Sequence, residues 1–242
     1  NEYRDGDTRL PVIPTLLISA IGVIDDAAQT VDMSFKSPGN LLYLVGATGE
    51  EMSGSHYAEV VGSEVFAQFF PYAVAPKVNI SHAYDLMKAL GAAIRTGLVC
   101  ACHDLSEGGL AVALAEMAIA GALGARVNLG MTPLQERRNI WNIVRLFSES
   151  PTRFIVEITP ERWEAFEQHM RASRIDEVKH IGVVTDSGFL DIYDRDELIY
   201  LPVTELQQAW THPHSGEQAY SVRFLGGASP RPYGDTPEGG QV

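Results

Sequence analysis

The sequence predicts an α/β (α+β) domain in which helices pack on a mixed β-sheet. Short apolar runs bounded by turn residues alternate with helical stretches, as in residues 41–48 and, further on, 82–96. A second helical stretch, residues 109–122, is apolar apart from Glu116, so most of its circumference must be buried. With 242 residues, the chain is long enough to form such a core.

Local patterns place the elements in chain order. Strands are predicted where apolar and β-branched residues run between turn signals, at residues 16–24, 30–35, 41–48, 98–101, 126–129, 154–158, 179–185, 189–193 and 198–201. Helices are predicted near residues 57–61, at 82–96, 109–122, from Thr132, at 139–147, from Thr159 and at 203–210. Turn residues before 41–48 indicate that the first three strands are neighbours. Asp186-Ser187-Gly188 predicts a hairpin between 179–185 and 189–193.

Composition divides the chain into three parts. Residues 1–14 are charged and then flanked by proline, and predict a lead-in linker. Residues 15–212 predict the folded domain, and residues 213–242, rich in Gly and Pro, predict a flexible tail. The chain starts at Asn1 without a signal peptide, so we expect a fragment of a longer chain.

Charge and cysteine usage limit the class of function. The formal net charge is −13, which argues against nucleic acid as the main partner because phosphate backbones attract clusters of Lys and Arg. No apolar run in the sequence approaches the ~20 residues of a membrane span. Cys100 and Cys102 are interpreted as small apolar fillers and not as a disulfide framework, which favours a cytoplasmic protein.

The junction between the 98–101 strand and the alanine-rich helix predicts a binding site. Its loop reads Asp104-Leu105-Ser106-Glu107-Gly108-Gly109. A strand–loop–helix junction aims backbone N–H groups and the positive end of a helix dipole at one point, and phosphate is its usual ligand. We expect the N–H groups of Glu107, Gly108 and Gly109 to face the anion, with Asp104 fixing the loop or orienting a polar ligand group. A purely structural Gly-Gly turn is the open alternative.

Four segments, in order, resemble one family. Residues 103–121, which begin His-Asp-Leu-Ser-Glu-Gly-Gly-Leu, are similar to the signature of the large subunit of phosphoribosylformylglycinamidine synthase. Residues 14–26 resemble the entry strand into the last domain of that subunit. Residues 53–57 resemble its Gly-Ser-Glu-Tyr loop, and residues 146–154 resemble its Phe-x-Glu-Ser-x-x-Arg-Phe turn.

The resemblance implies the last C-terminal domain of that subunit, within the superfamily of aminoimidazole ribonucleotide synthetase. The implied fold is a three-layer α/β domain that is partly ferredoxin-like. The parent enzyme would be an ATP-dependent ligase of purine biosynthesis. It would convert formylglycinamide ribonucleotide, ATP and glutamine to formylglycinamidine ribonucleotide, ADP, phosphate and glutamate. The fragment alone is expected to be inactive.

The same resemblance implies cofactors and partners. ATP and Mg²⁺ are expected for the full enzyme, with none certain for this fragment. The expected partners are the upstream domains of the subunit, a glutaminase subunit, a small accessory subunit and the ribonucleotide substrate, with neither nucleic acid nor membrane. The alternative is a non-catalytic scaffold, or an auxiliary nucleotide-binding domain of that enzyme or of another superfamily member.

Individual residues complete the predicted site. The phosphate- or substrate-binding candidates are Asp104, Ser106, Glu107, Gly108, Gly109 and Arg153. Arg153, in the loop after Glu149, has the chemistry of a bidentate phosphate clamp, with an ion pair to Glu149 as the alternative. His103 is interpreted as a structural residue. No catalytic residue and no metal ligand is assigned, and the adjacent Asp25 and Asp26 are interpreted as caps.

Two positions depart from the family pattern. His56 replaces a usual Glu, and Glu107 replaces a usual Asp. Neither change removes the glycine turn, but both bear on the side-chain roles that the resemblance implies.

Overall fold

The computed structural model of the chain describes residues 2–5, 8–11, 18–136 and 140–212. The strands are β1 (Glu2–Asp5), β2 (Thr8–Pro11), β3 (Leu41–Val45), β4 (Ala101–Asp104), β5 (Gly124–Asn128), β6 (Phe154–Ile158), β7 (Val178–Thr185), β8 (Phe189–Asp194) and β9 (Asp196–Pro202). The helices are α1 (His56–Val61), α2 (Ser63–Phe69), α3 (Ile80–Arg95), α4 (Gly109–Gly121), α5 (Asn142–Phe147), α6 (Trp163–Ala172) and α7 (Val203–Thr211). Two 3₁₀ turns cover Ala27–Gln29 and Leu129–Met131.

The main sheet has seven strands in the order β4-β6-β3-β7-β5-β8-β9. Strand β6 is antiparallel to both β4 and β3, β7 is antiparallel to β3 and β5, and β5 runs parallel to β8. Strand β9 is an edge strand and pairs antiparallel with β8. The sheet is therefore mixed, as predicted.

Helices cover both faces of this sheet, which confirms the predicted three-layer fold. Along β3, Leu42 and Leu44 belong to the core cluster that contains α4, whereas Tyr43 and Val45 belong to the cluster that contains α3 and α6. Helices α5 and α7 contact α4, and α3 contacts α6. Because both faces are buried, β3 is apolar at every position and does not alternate with polar residues.

Most elements form where local patterns predict them. Helix α3 begins at Ile80, and of the two residues that the sequence places to cap it, Asn79 and Ser81, Asn79 is the cap. The Asn79 side chain accepts the N–H of His82 at 3.2 Å, and Gly97 follows the end of the helix with φ +71°. In α6, Phe166 and Met170 are buried, whereas Trp163 is 39% exposed.

The hairpin predicted at Asp186-Ser187-Gly188 is wrong. Strands β7 and β8 follow each other in sequence, but β5 lies between them, antiparallel to β7 and parallel to β8. The turn residues therefore end one strand and start the next without pairing the two. Turn residues favour a local reversal of the chain, but they carry no information about a third strand, here β5, that pairs with both β7 and β8.

Other departures lie at the edges of the domain. Residues 18–24 and 30–35 form no strand, and Ile21 and Val23 are each 96% exposed. The predicted lead-in contains β1 and β2, which pair antiparallel. No helix starts at Thr132. Two residues later, Leu134 instead forms an isolated parallel β-bridge with Thr48. The tail, residues 213–242, lies outside the described residues, and within them no helix is both long and apolar enough to cross a membrane.

Candidate functional site

Three loops meet at one end of the sheet. Strands β3 and β4 both run antiparallel to β6, which lies between them. The ends of β3 and β4 therefore lie beside the start of β6. The loops are residues 46–55 after β3, residues 105–109 after β4 (the glycine turn), and residues 148–153 before β6 (the Glu149 segment).

The glycine turn forms the predicted strand–loop–helix junction. Gly108 has φ +76° and Gly109 has φ +63°, in the left-handed region that favours glycine. Helix α4 begins at Gly109, and its N-cap residue, Gly108, has no side chain that could cap it. The Gly109 N–H donates to the Ser106 carbonyl at 3.1 Å. One of the three N–H groups expected to face an anion is thus used inside the turn.

A carboxylate of the chain itself occupies the anion position beside Gly108. The Oε1 atom of Glu149 accepts the N–H of Gly108 at 2.9 Å and the N–H of His56 at 2.9 Å. The His56 Nδ1 atom lies 3.4 Å from the same oxygen. Glu149 was not among the predicted site residues, because it lies 41 positions from Gly108 in sequence. The only available signal was its place in the Glu-Ser-x-x-Arg turn.

Gly109 is required because the backbone around Leu146 and Ser148 packs closely against it. An added Cβ would lie 2.4 Å from the Ser148 carbonyl oxygen and 2.9 Å from the Leu146 carbonyl oxygen. The sequence predicts that the Gly109 N–H faces an anionic ligand. At Gly109 the group that approaches is instead the backbone leading into the Glu149 segment.

Two buried serines attach the Glu149 segment to the loop after β3. Ser148 and Ser150 are both 0% exposed. The Ser148 Oγ donates to the Gly49 carbonyl at 2.8 Å, and the Gly49 N–H donates to the Ser150 Oγ at 2.9 Å. The side chains of Ser148 and Ser150 are buried and bonded to Gly49, so the side chain of Glu149 between them points the other way, toward the glycine turn.

Arg153 acts inside this loop. Its side chain is 1% exposed, and its N–H groups donate to the Ser150 carbonyl at 2.8 Å, to Thr48 Oγ1 at 3.0 Å and to the Ser148 carbonyl. Burial lowers the pKa of the guanidinium to about 10, opposed by the charges of nearby carboxylates, so it remains a cation at neutral pH. In the described residues the Arg153 guanidinium is thus used within the loop, and its role as a phosphate clamp stays a prediction.

Asp104 is an exposed acidic residue directly before the glycine turn. Its side chain is 62% exposed, and Ser106 Oγ donates to its Oδ2 at 2.6 Å. This hydrogen bond is the main cause that lowers the pKa of Asp104. Behind it, His103 is 16% exposed, with Nε2 2.7 Å from Glu116 Oε2 and Nδ1 3.6 Å from Asp104 Oδ1. His103 therefore lies in a structural position between two carboxylates.

The accessible part of the predicted site is small. Asp104, Ser106 and Glu107 are exposed, whereas Gly108 and Gly109 are buried. Over residues 18–136 and 140–212, no group of three or more His, Cys, Asp or Glu side chains is arranged to hold a metal ion. Asp26 caps the first 3₁₀ turn by accepting the Ala28 N–H at 2.9 Å.

Comparisons with known proteins agree with this architecture. A family model described as AIR synthase related protein, C-terminal domain, matches residues 37–195. Phosphoribosylformylglycinamidine synthase subunit PurL of Alkaliphilus metalliredigens (strain QYMF) is 35% identical over 198 residues. That match covers 81% of this chain and 25% of the relative, so the chain spans about a quarter of the length of the relative.

Solved structures of PurL from Thermotoga maritima share the fold. The complex with FGAR is 25% identical with a TM-score of 0.63, over 74% of this chain and 30% of that chain. The structure of PurLQS from the same organism is 22% identical with a TM-score of 0.62, over 74% of this chain and 28% of that chain. Other complexes of that protein contain ATP, AMPPCP or ADP.

Proposed function

Because the chain belongs to the family of AIR synthase related proteins, C-terminal domain, we propose that it is the C-terminal domain of a phosphoribosylformylglycinamidine synthase subunit. The observation that carries the proposal is the 35% identity to subunit PurL over 198 residues. The parent enzyme would be an ATP-dependent ligase of purine biosynthesis. It would convert formylglycinamide ribonucleotide and glutamine-derived ammonia to formylglycinamidine ribonucleotide.

In this proposal most of the chemistry lies outside the present chain. The rest of the subunit would hold ATP and Mg²⁺, since the described residues offer no metal cluster. The glutaminase subunit and the small accessory subunit would be partners of the whole enzyme, in line with the similarity to PurLQS. The enzyme would act in the cytoplasm, the compartment that the cysteine usage of the chain favours.

The contribution of this domain would be the exposed part of the glycine turn. Asp104, Ser106 and Glu107 would line one wall of the substrate cleft, with Gly108 and Gly109 shaping the turn behind them. A carboxylate with a depressed pKa repels a phosphate group but accepts hydrogen bonds from hydroxyl groups. We therefore assign Asp104 to polar groups of the ribonucleotide other than its phosphate.

The test uses the full subunit that contains this chain, with ammonium chloride replacing glutamine. We expect ADP release that depends on formylglycinamide ribonucleotide, and none from the 242-residue chain alone. Asp104→Asn should raise the KM for the ribonucleotide several-fold at nearly constant kcat, because it removes binding energy common to ground and transition states. A full subunit that releases no ADP with this substrate would contradict the proposed reaction.

One observation favours the scaffold alternative. The Gly108 N–H is already bound by Glu149, and Gly109 is packed against the Ser148 carbonyl, as in a structural turn. If the domain is a scaffold, Asp104→Asn and Ser106→Ala would leave both KM and kcat unchanged. The two functions are therefore separated by kinetics alone.

A further inference from the structure

Glu149 joins the three loops at one atom. Its Oε1 accepts the Gly108 N–H at the start of α4 and the His56 N–H at the start of α1, both at 2.9 Å. Both donors lie where helices leave N–H groups without partners inside the helix, and a negative charge there is stabilising. One carboxylate oxygen therefore fixes the position of α4 relative to α1.

The segment that carries Glu149 is held rigidly. The guanidinium of Arg153 binds the carbonyls of Ser148 and Ser150, the residues on either side of Glu149. The Glu149 N–H itself donates to the Glu51 carbonyl at 3.4 Å. The Glu149 side chain is only 15% exposed, which limits exchange of its hydrogen bonds with water.

We propose that Glu149 is a positioning residue that sets the geometry of the glycine turn for ligand binding. It acts through the Gly108 N–H and does not touch the ligand itself. Within residues 146–154, Arg153 holds the Glu149 segment in place, and Glu149 holds the glycine turn in place. The inference rests on the proposed function, because the turn must bind substrate for its geometry to affect kinetics.

The physical consequence of removing the Glu149 carboxylate is a change in ligand binding in addition to a loss of stability. Without the carboxylate, the Gly108 N–H loses its acceptor and the turn can shift relative to α1. Asp104 directly precedes this turn and Ser106 lies within it, so their polar groups would move away from the positions that suit the ribonucleotide.

The experiment compares Glu149→Ala, Glu149→Gln and Glu149→Asp in the full subunit by ammonia-dependent kinetics. We expect Glu149→Ala to raise the KM for the ribonucleotide about tenfold at nearly constant kcat. Glu149→Gln retains an acceptor oxygen without the charge, so its KM should lie between those of Glu149→Ala and the parent subunit. Glu149→Asp is too short to reach both donors and should behave like Glu149→Ala. Hydrogen exchange of a peptide covering residues 105–112 should become faster in Glu149→Ala.

The matched control is Glu59→Gln, which removes a carboxylate from an exposed position on α1. Its KM and exchange rates should equal those of the parent subunit. If Glu149→Ala does not fold, Glu149→Gln carries the test.

The outcomes separate this inference from the proposed function. An active parent subunit whose KM rises in Asp104→Asn but not in the Glu149 variants would overturn the positioning role alone. A lower melting temperature with unchanged KM would show that Glu149 only stabilises the fold, which also overturns it. A parent subunit without activity would instead reject the proposed reaction.

Discussion

Gly109→Ala offers a sharp test of how the three loops fit together. The new Cβ would lie 2.4 Å from the Ser148 carbonyl oxygen and 2.9 Å from that of Leu146, and the residue would keep φ +63°. The left-handed conformation costs an L-residue about 1–2 kcal/mol. Forcing two backbone carbonyls aside costs about 1–3 kcal/mol more, as in an overpacked core. We therefore expect a loss of about 2–5 kcal/mol in the free energy of unfolding.

Gly188→Ala is the control that isolates the backbone cost. Gly188 has φ +72°, but a Cβ added there would meet no atom within 4 Å, so only the conformational penalty applies. Urea unfolding of the 242-residue chain, followed by tryptophan fluorescence, would give both free energies. Equal losses in the two variants would show that the close approach of the Glu149 segment to the glycine turn does not exist.

Three further predictions follow from burial and charge. Arg153→Met should lower the free energy of unfolding by at least about 3 kcal/mol because it leaves buried acceptors unpaired. The control is Arg171→Met; the Arg171 side chain is 75% exposed, so the free energy of unfolding should change by less than about 0.5 kcal/mol. Burial raises the pKa of Cys102 to about 12, so iodoacetamide at pH 8 should label it more than about tenfold more slowly in the folded than in the urea-unfolded chain, measured by peptide mass. The folded-state pKa of Asp104 is lowered chiefly by Ser106, so its small contribution to stability is present above the ordinary pKa of 3.8 and is lost as the pH falls through the folded value. Urea midpoints from pH 6 to pH 3 should therefore fall slightly less steeply in Ser106→Ala, and an identical slope would contradict this.

The chain segments with the strongest local patterns were predictable. The spacing of apolar residues predicted α3, with Asn79 or Ser81 as its cap, because helix formation and capping depend on neighbours three or four positions away. The apolar residues of β3, and of β6 apart from Glu157, predicted strands, and both faces of these strands are covered. The glycine turn was likewise predicted, because positive φ values favour glycine whatever lies around it.

The pairing of strands was decided by the tertiary structure. Residues 179–185 and 189–193 have every local signal of a hairpin, yet β5 lies between them. Residues 18–24 have the composition of a strand but find no partner in the described sheet, and their apolar side chains remain exposed. Strand formation requires hydrogen bonds to a neighbour, and the identity of that neighbour is not encoded within the strand itself.

The sequence by itself determined the layered α/β fold, the positions of most helices and strands, and the glycine turn at the start of α4. The tertiary structure decided what that turn contacts. It brought Glu149 to the Gly108 N–H from 41 positions away, and it buried Arg153 beneath the same segment. Backbone conformation is set by residues close in sequence, whereas the occupant of an anion position is set by whichever charge the folded chain brings there.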